Sequence, residues 1–285
     1  MSYRTHAPIT GSGERLLLAA AAALALCFLA PRATAQTDYY NTDAGRPITV
    51  EDAYAIERRG VEIQVAPLRL ERSRGGVYAW GIEPELAAGV LPRTQLEIGF
   101  PLAFVDLGTG RRSAGLAGIE LSALHNLNTE TSIPALAVAA DVLLPAGGLG
   151  PDKVYPTVKG IATRTLSWAR FHVNGQYTFG SRQSPADAGG EAHVTAELSR
   201  WAAGVAADRT MPLQSVLVTA ELVARQPLGA SSDVAWDAAA GARHQVSPRV
   251  ALDGGAGYRL TGDDRGWFAT VGAAVAVGLP WSPRR

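Results

Sequence analysis

The sequence predicts an all-β protein: a transmembrane, antiparallel, up-and-down β-barrel of about 12 strands that is preceded by a signal peptide. Three observations lead to this fold class. The N-terminus resembles a secretory leader, no later stretch is long and apolar enough for a spanning helix, and many segments alternate between polar and apolar residues. Alternation with period two is typical of a strand with one wet and one apolar face.

The clearest alternating segment runs from Arg170 to Gly180. Its even positions are all polar up to position 178, whereas its odd positions include Phe171, Val173, Tyr177 and Phe179. A helix would scatter these apolar residues around its circumference. The last two lie at one end of the apolar face, where a membrane barrel places an aromatic girdle.

Residues 1–35 are predicted to be a signal peptide. Two arginines supply a positive n-region, residues 16–30 form an apolar h-region, and Ala33-Thr34-Ala35 is a cleavage site of the A-x-A type. An uncleaved anchor helix is the alternative, but an apolar run of about 15 residues is short for a span. Cys27 is the only cysteine, so a chain that begins near Gln36 would have no disulfide and no thiolate site.

Composition and charge argue against several other function classes. The chain has 26 basic and 26 acidic residues, and removal of residues 1–35 would leave 23 and 25, so no nucleic-acid footprint is present. The histidines are dispersed, which predicts no metal site. Gly147-Gly148-Leu149-Gly150 lacks the lysine and the following helix of a phosphate-binding loop. We therefore expect no cofactor, no metal and no nucleic-acid partner.

The rest of the chain divides into three parts. Residues 36–59 are polar and are predicted to form a periplasmic N-terminal segment with limited regular structure. Residues 60–279 form the barrel, and residues 280–285 form a short C-terminal tail.

Each predicted strand has about 10 to 13 residues, which suits a tilted membrane strand. Pro67 shifts the alternation in the first strand and predicts a bulge. The second and third strands flank Leu91-Pro92-Arg93 and form the clearest hairpin. The sixth is ambiguous because Lys159 and Thr163 share a face with Ile161. The predicted strands are 60–71, 79–90, 94–105, 116–127, 133–145, 157–166, 170–180, 197–208, 214–225, 234–246, 249–260 and 266–279.

The connections between these strands alternate in length. Those at 91–93, 167–169 and 247–248 are short, whereas those at 106–115 and 146–156 are long. Short turns on one side and longer loops on the other are the pattern of outer-membrane barrels. An even strand count leaves both termini on the short-turn, periplasmic side.

Several of these segments resemble a known family. The run 41–47 (Asn-Thr-Asp-Ala-Gly-Arg-Pro), the hairpin from Pro84 to Glu97, and Gly118-Ile119-Glu120-Leu121 are similar to the outer-membrane proteins associated with the meta pathway of phenol degradation. The likeness spans residues 41–279. It implies a barrel that passes small, often aromatic, compounds, and it supplies no catalytic motif.

The polar faces of the strands supply the candidate site. Glu97, Glu120 and Asp141 are expected to form an acidic part of the wall, and three arginines a basic part. Two interpretations stay open: a lumen that conducts or selects solutes, and a static ion-pair network that fills a barrel of intermediate size. The predicted lumen-lining residues are Glu97, Glu120, Asp141, Arg170, His172, Asn174, Glu221, Arg243, Asp253 and Arg259.

From these features we expect a channel or transporter for small, aromatic or hydrophobic solutes in a Gram-negative outer membrane. The expected partners are outer-membrane lipid, a small-molecule solute and the barrel-assembly machinery. A structural barrel without transport is the alternative, and a soluble periplasmic β-protein is the alternative fold. A lipid-modifying enzyme is more distant, because His172 would need a serine beside it and no G-x-S-x-G motif occurs. We therefore predict no catalytic residues.

Overall fold

A computed structural model describes residues 41–43, 46–73, 78–106, 112–181, 198–228, 233–261 and 265–277. The predicted signal peptide and the predicted C-terminal tail lie outside the described residues. The described chain forms a closed antiparallel barrel of 12 strands, which confirms the predicted fold class and strand number. The strands are β1 Val61–Ser73, β2 Tyr78–Leu91, β3 Thr94–Gly99 with Leu102–Asp106, β4 Arg112–Leu116 with Ile119–Asn126, β5 Ala135–Leu144, β6 Tyr155–Thr165, β7 Arg170–Thr178, β8 Ser199–Met211, β9 Val216–Pro227, β10 Ala235–Ser247, β11 Val250–Arg259 and β12 Gly266–Val277.

Two neighbouring strands, β3 and β4, are interrupted at the same height in the wall. Pro101 has no N–H to donate to a neighbouring strand, and Gly118 has a φ of 127°, a conformation that favours glycine. Hydrogen bonds continue across the break, because the Phe100 N–H donates to the Pro84 carbonyl and the Ala117 N–H donates to the Pro101 carbonyl. Each interrupted strand therefore counts as one strand of the barrel.

The barrel closes because β1 pairs with β12 on one side and with β2 on the other. In both pairings the register shifts between Val65 and Leu68, which confirms the bulge predicted at Pro67. The predicted and observed strand ends differ by at most three residues at every end but one. The exception is β4, because residues 112–115 belong to a strand that pairs with Leu102–Asp106 and not to the predicted loop at 106–115.

The outer surface of the barrel is apolar. Outward side chains such as Val173, Val205 and Leu222 are exposed, whereas polar side chains at alternate positions point into the lumen. Aromatic rings gather at the long-loop end, where Trp80 stacks on Phe104 with ring centroids 5.5 Å apart. An apolar outer belt with an aromatic rim is the arrangement that a lipid bilayer requires of a spanning barrel.

Among the described residues, no helical segment is long and apolar enough to cross a membrane. The only helical turn among them is the short 3₁₀ segment Pro212–Gln214, which connects β8 to β9.

Small inward residues leave space inside the barrel. On β5 the inward positions include Ala135, Ala137 and Ala139, which pack with Leu124 and with Ala53 of the N-terminal segment. An alanine leaves the volume of a larger side chain unfilled, and protein interiors do not tolerate large voids. The space at this part of the wall is filled by the chain that precedes β1.

Candidate functional site

The described part of residues 41–59 lies inside the lumen and follows the inner wall. It contacts β10 and β12 near its start, then β9, β7, β6, β4 and β3, before it joins β1 at residue 60. The sequence assigns this stretch to a periplasmic segment, and its polar, irregular composition does not predict these contacts. We call residues 41–43 and 46–59 the inner segment.

Side chains of the wall satisfy the backbone of the inner segment. The carboxylate of Glu221 accepts hydrogen bonds from the N–H groups of Thr49 and Val50, at 2.9 and 2.8 Å. Asn174 holds Glu51 from both sides, because its amide oxygen accepts from the Glu51 N–H and its amide nitrogen donates to the Glu51 carbonyl, each at 2.8 Å. These bonds replace the strand partners that an irregular backbone lacks.

Further along the inner segment the same pattern continues. The Thr163 hydroxyl accepts from the Ala53 N–H at 3.0 Å, and Asn126 donates to the Ala53 carbonyl at 2.6 Å. Gln95 accepts from the Ile56 N–H at 2.7 Å. The inner segment is thus held over most of its length.

Arg46 is the most deeply buried charge of the inner segment. Its side chain is 1% exposed and forms ion pairs with Asp43 at 2.6 Å, Asp253 at 3.4 Å and Glu62 at 3.5 Å. Arg243 lies beside it, donates to the Asn41 and Arg46 carbonyls, and pairs with Asp43 at 3.1 Å. Buried charges need such partners, because their desolvation is otherwise costly.

Two other basic residues of the wall also reach the inner segment. Lys159 lies 3.2 Å from Glu51 of the inner segment and 2.9 Å from Asp141 of the wall. Arg170 pairs with Asp208 at 2.8 Å and lies 3.8 Å from Asp52. The inner segment therefore joins the wall through charge as well as through backbone hydrogen bonds.

His172 belongs to a buried network. Its Nε2 lies 2.8 Å from Asp208 and its Nδ1 lies 3.0 Å from the Thr163 hydroxyl. Ser122, the inward serine, donates instead to Asp141 at 2.6 Å. The arrangement connects three strands to the inner segment and brings no serine to the histidine. Among the described residues no group of His, Cys, Asp and Glu is arranged to hold a metal ion.

The opposite side of the lumen carries an excess of carboxylates. Glu83, Glu85, Glu97 and Glu120 come from β2, β3 and β4, and within the described residues none of them forms an ion pair of 4 Å or less. Glu85, Glu97 and Glu120 line a cavity of about 30 Å³, close to the volume of one water molecule. The cavity is lined by Asp43, Glu51, Glu85, Gln95, Glu97, Gly99, Glu120, Ser122 and Lys159.

The predicted lumen residues form four groups and one residue that lies apart. Glu97 and Glu120 line the acidic cavity, with Asp141 joined to it through Lys159. Arg170 and His172 share Asp208, and Asn174 and Glu221 hold the inner segment. Arg243 and Asp253 surround Arg46, whereas Arg259 lies apart and pairs with Glu71 at 3.1 Å. The three predicted arginines thus lie in separate ion-pair groups and do not meet in one patch.

Sequence reasoning missed the residues whose partners are distant in the chain. Arg46, Glu51 and Asp52 lie in a segment without periodicity, so no pattern marks them as lumen residues. Lys159 did carry a signal, because it shares a strand face with Ile161 and Thr163, both of which are buried. A lysine on a buried face requires a carboxylate partner, and that requirement predicts a nearby acid.

Comparison with known proteins supports the fold. No protein-family model matches the chain, and no curated protein sequence matches it. A solved outer membrane channel from Pseudomonas putida F1 is 13% identical with a TM-score of 0.51, over 82% of this chain and 99% of that chain. The KdgM porin is 11% identical with a TM-score of 0.49, over 75% of this chain and 98% of the porin. At 13% identity the likeness to the Pseudomonas putida channel shows a shared barrel fold and nothing about solutes.

Proposed function

We propose that this barrel is a channel of the outer membrane of a Gram-negative bacterium and that it passes small solutes. The observation that carries the proposal is the group of inward glutamates, Glu83, Glu85, Glu97 and Glu120, which form no ion pair of 4 Å or less within the described residues. Carboxylates remain charged inside a protein only when they are paired or hydrated. A hydrated path on this side of the lumen would let these carboxylates stay charged, and such a path through a closed barrel is a route for solutes.

We further propose that small aromatic or hydrophobic compounds are among these solutes. The resemblance of the sequence to the outer-membrane proteins of phenol degradation supports this solute class, whereas the carboxylates around the acidic cavity disfavour anions. We expect anions to enter more slowly than uncharged or cationic compounds. Uptake into vesicles of uncharged, cationic and anionic aromatic compounds of similar size would test this order of rates. Faster uptake of the anions would contradict it.

A structural barrel without transport is the second candidate. It is favoured by the small size of the described cavity and by the ion pairs that the inner segment makes with the wall. Single-channel recordings in planar bilayers separate the two candidates, because a filled barrel gives no conductance.

We assign no catalytic role to the barrel, and lipid hydrolysis by the purified protein would overturn that assignment.

The first prediction concerns location. The exported protein should begin near Gln36, require the barrel-assembly machinery, and appear in the outer-membrane fraction. A folded barrel resists denaturation by detergent, so the unheated protein should migrate differently from the heated protein on a gel. Recovery in the soluble periplasmic fraction would contradict the proposal, and N-terminal sequencing of the exported protein checks the cleavage site.

The second prediction concerns ion selectivity. Glu97→Gln or Glu120→Gln removes one of the unpaired charges beside the cavity and should shift selectivity toward anions. Reversal potentials across a planar bilayer with a salt gradient measure the shift. It should shrink at high salt, because the Debye length is about 10 Å at 0.1 M and shorter above it.

Ile98→Leu is the matched control for this experiment. Ile98 neighbours Glu97 in the chain but lies on the outer face, opposite Leu86 of β2. Its replacement should leave the reversal potential unchanged. Equal shifts in all three variants would show that the acidic cavity does not lie on the conducting path.

A further inference from the structure

Three inward-facing glycines lie where residues 46–51 of the inner segment come close to the wall. A Cβ atom on Gly204 would lie 2.6 Å from Val50 Cγ2, and one on Gly241 would lie 2.7 Å from Pro47 Cβ. A Cβ atom on Gly255 would lie 2.7 Å from the Pro47 carbonyl oxygen. These glycines come from β8, β10 and β11, and together they form a groove that residues 46–51 occupy.

Backbone conformation does not explain these glycines. None of the three has a positive φ, so other residues could adopt the same backbone. Glycine weakens a strand, and in a strand interior it often marks the close approach of another chain segment. The closest atoms here belong to the inner segment, together with a strand side chain and strand carbonyls. The wall is therefore shaped to the inner segment.

Three further contacts fix the same residues in the groove. Glu221 binds the Thr49 and Val50 N–H groups, and the Thr270 hydroxyl donates to the Pro47 carbonyl at 3.1 Å. Ile48 and Val50 pack in an apolar cluster of the wall and are each 2% exposed. Steric fit, hydrogen bonds and apolar burial thus act on one short stretch of the chain.

We infer that residues 46–51, seated in the glycine groove, are the constriction that sets the size limit for solutes in this barrel. This inference rests on the proposed channel function. The acidic cavity lies between Asp43 and Glu51 of the inner segment and the side chains of β2, β3 and β4. The proposed solute path therefore runs through this cavity. A solute therefore passes beside Glu51 and Lys159, and the position of the inner segment decides how large it can be.

The test is to fill the groove. Gly241→Leu and Gly204→Leu place a side chain where Pro47 and Val50 lie, and each should displace the inner segment from the wall. The expected result is a several-fold rise in single-channel conductance and the passage of solutes that the wild-type barrel excludes. Gly160→Leu and Gly175→Leu are the matched controls, because these glycines face outward with nothing within 4 Å of the added atom. Both controls should keep the wild-type conductance.

A thiol probe reports the position of the inner segment independently of conductance. Cys27 is the only cysteine and lies in the predicted signal peptide, so Val50→Cys gives the exported protein a single thiol. Val50 is buried, and the new thiol should react slowly with a maleimide in the otherwise wild-type barrel. In the Gly241→Leu background it should react fast.

The outcomes separate this inference from the proposed function. If the thiol becomes reactive and the conductance stays at the wild-type value, the constriction lies elsewhere and the inference is wrong. If neither the wild type nor any variant conducts, the channel function itself fails.

Should the leucine variants not fold, Glu221→Ala removes the acceptor for two backbone N–H groups without adding volume, and it should raise both thiol reactivity and conductance. A folded Glu221→Ala barrel with a protected thiol would also overturn the inference.

Discussion

Replacing Arg46 with glutamine should lower the free energy of unfolding by about 3 kcal/mol, the lower end of the range for breaking a buried ion pair. The guanidinium group is 1% exposed and faces three carboxylates, those of Asp43, Glu62 and Asp253. Glutamine keeps much of the volume but leaves these carboxylates without their shared cation. The lower end of the range applies because Arg243 stays 3.1 Å from Asp43 and 3.9 Å from Asp253.

Equilibrium unfolding in urea, followed by tryptophan fluorescence in lipid vesicles, measures this change. Arg58→Gln is the matched control, because Arg58 belongs to the same segment, is exposed, and should change stability little. If the two variants unfold at the same urea concentration, the ion-pair group around Arg46 does not stabilise the barrel. A lower stability of Arg46→Gln alone supports a seated inner segment.

Val173→Arg should cost about 2 to 4 kcal/mol of folding free energy, since it places a charge on the lipid face near the middle of a strand. Val173 is 53% exposed on the outer surface and pairs with Val205 of β8. A charge at that depth must be desolvated or must thin the bilayer locally. Refolding into vesicles at several urea concentrations gives the difference from the wild type.

The control for this substitution lies at the end of the same strand face. Phe179→Arg also faces outward, but it lies beside Tyr177 in the aromatic rim, where the cost of a charge falls to about 0 to 1 kcal/mol. Asn174→Ala is not a neutral control, because Asn174 makes two hydrogen bonds to Glu51. Equal costs at positions 173 and 179 would contradict the assignment of the bilayer midplane.

Much of the fold follows from local pattern. Alternation with period two identified the strands, and it assigned positions such as Val173 to the outer face and His172 to the lumen. Pro67 marked the bulge in β1. The pattern failed at residues 112–115, where glycine, arginine and serine suggested a loop and where pairing with Leu102–Asp106 forms a strand instead. In this place a partner strand determines the structure more strongly than composition does.

The sequence predicted which residue types face the lumen, but it did not predict which of them pair with one another. Glu97, Glu120 and Asp141 were expected on one part of the wall, and the structure brings them to neighbouring strands around Lys159. Arg170, Arg243 and Arg259 were expected to form a basic part, but each has a different acidic partner. Alternation shows only that a side chain points inward. The partner that it meets depends on tilt, register and whatever else occupies the lumen.

The sequence by itself determined that this chain forms a closed barrel with an apolar outside and a charged inside, because side-chain direction in a strand is a local property. Only the tertiary structure decided what occupies the lumen. Arg46 and Asp253 are separated by 207 positions, and the inner segment has no periodicity that predicts its location. It lies within the barrel because inward-facing glycines leave room for its backbone and because wall carboxylates and amides satisfy its N–H and carbonyl groups. Those contacts exist only after the strands have closed.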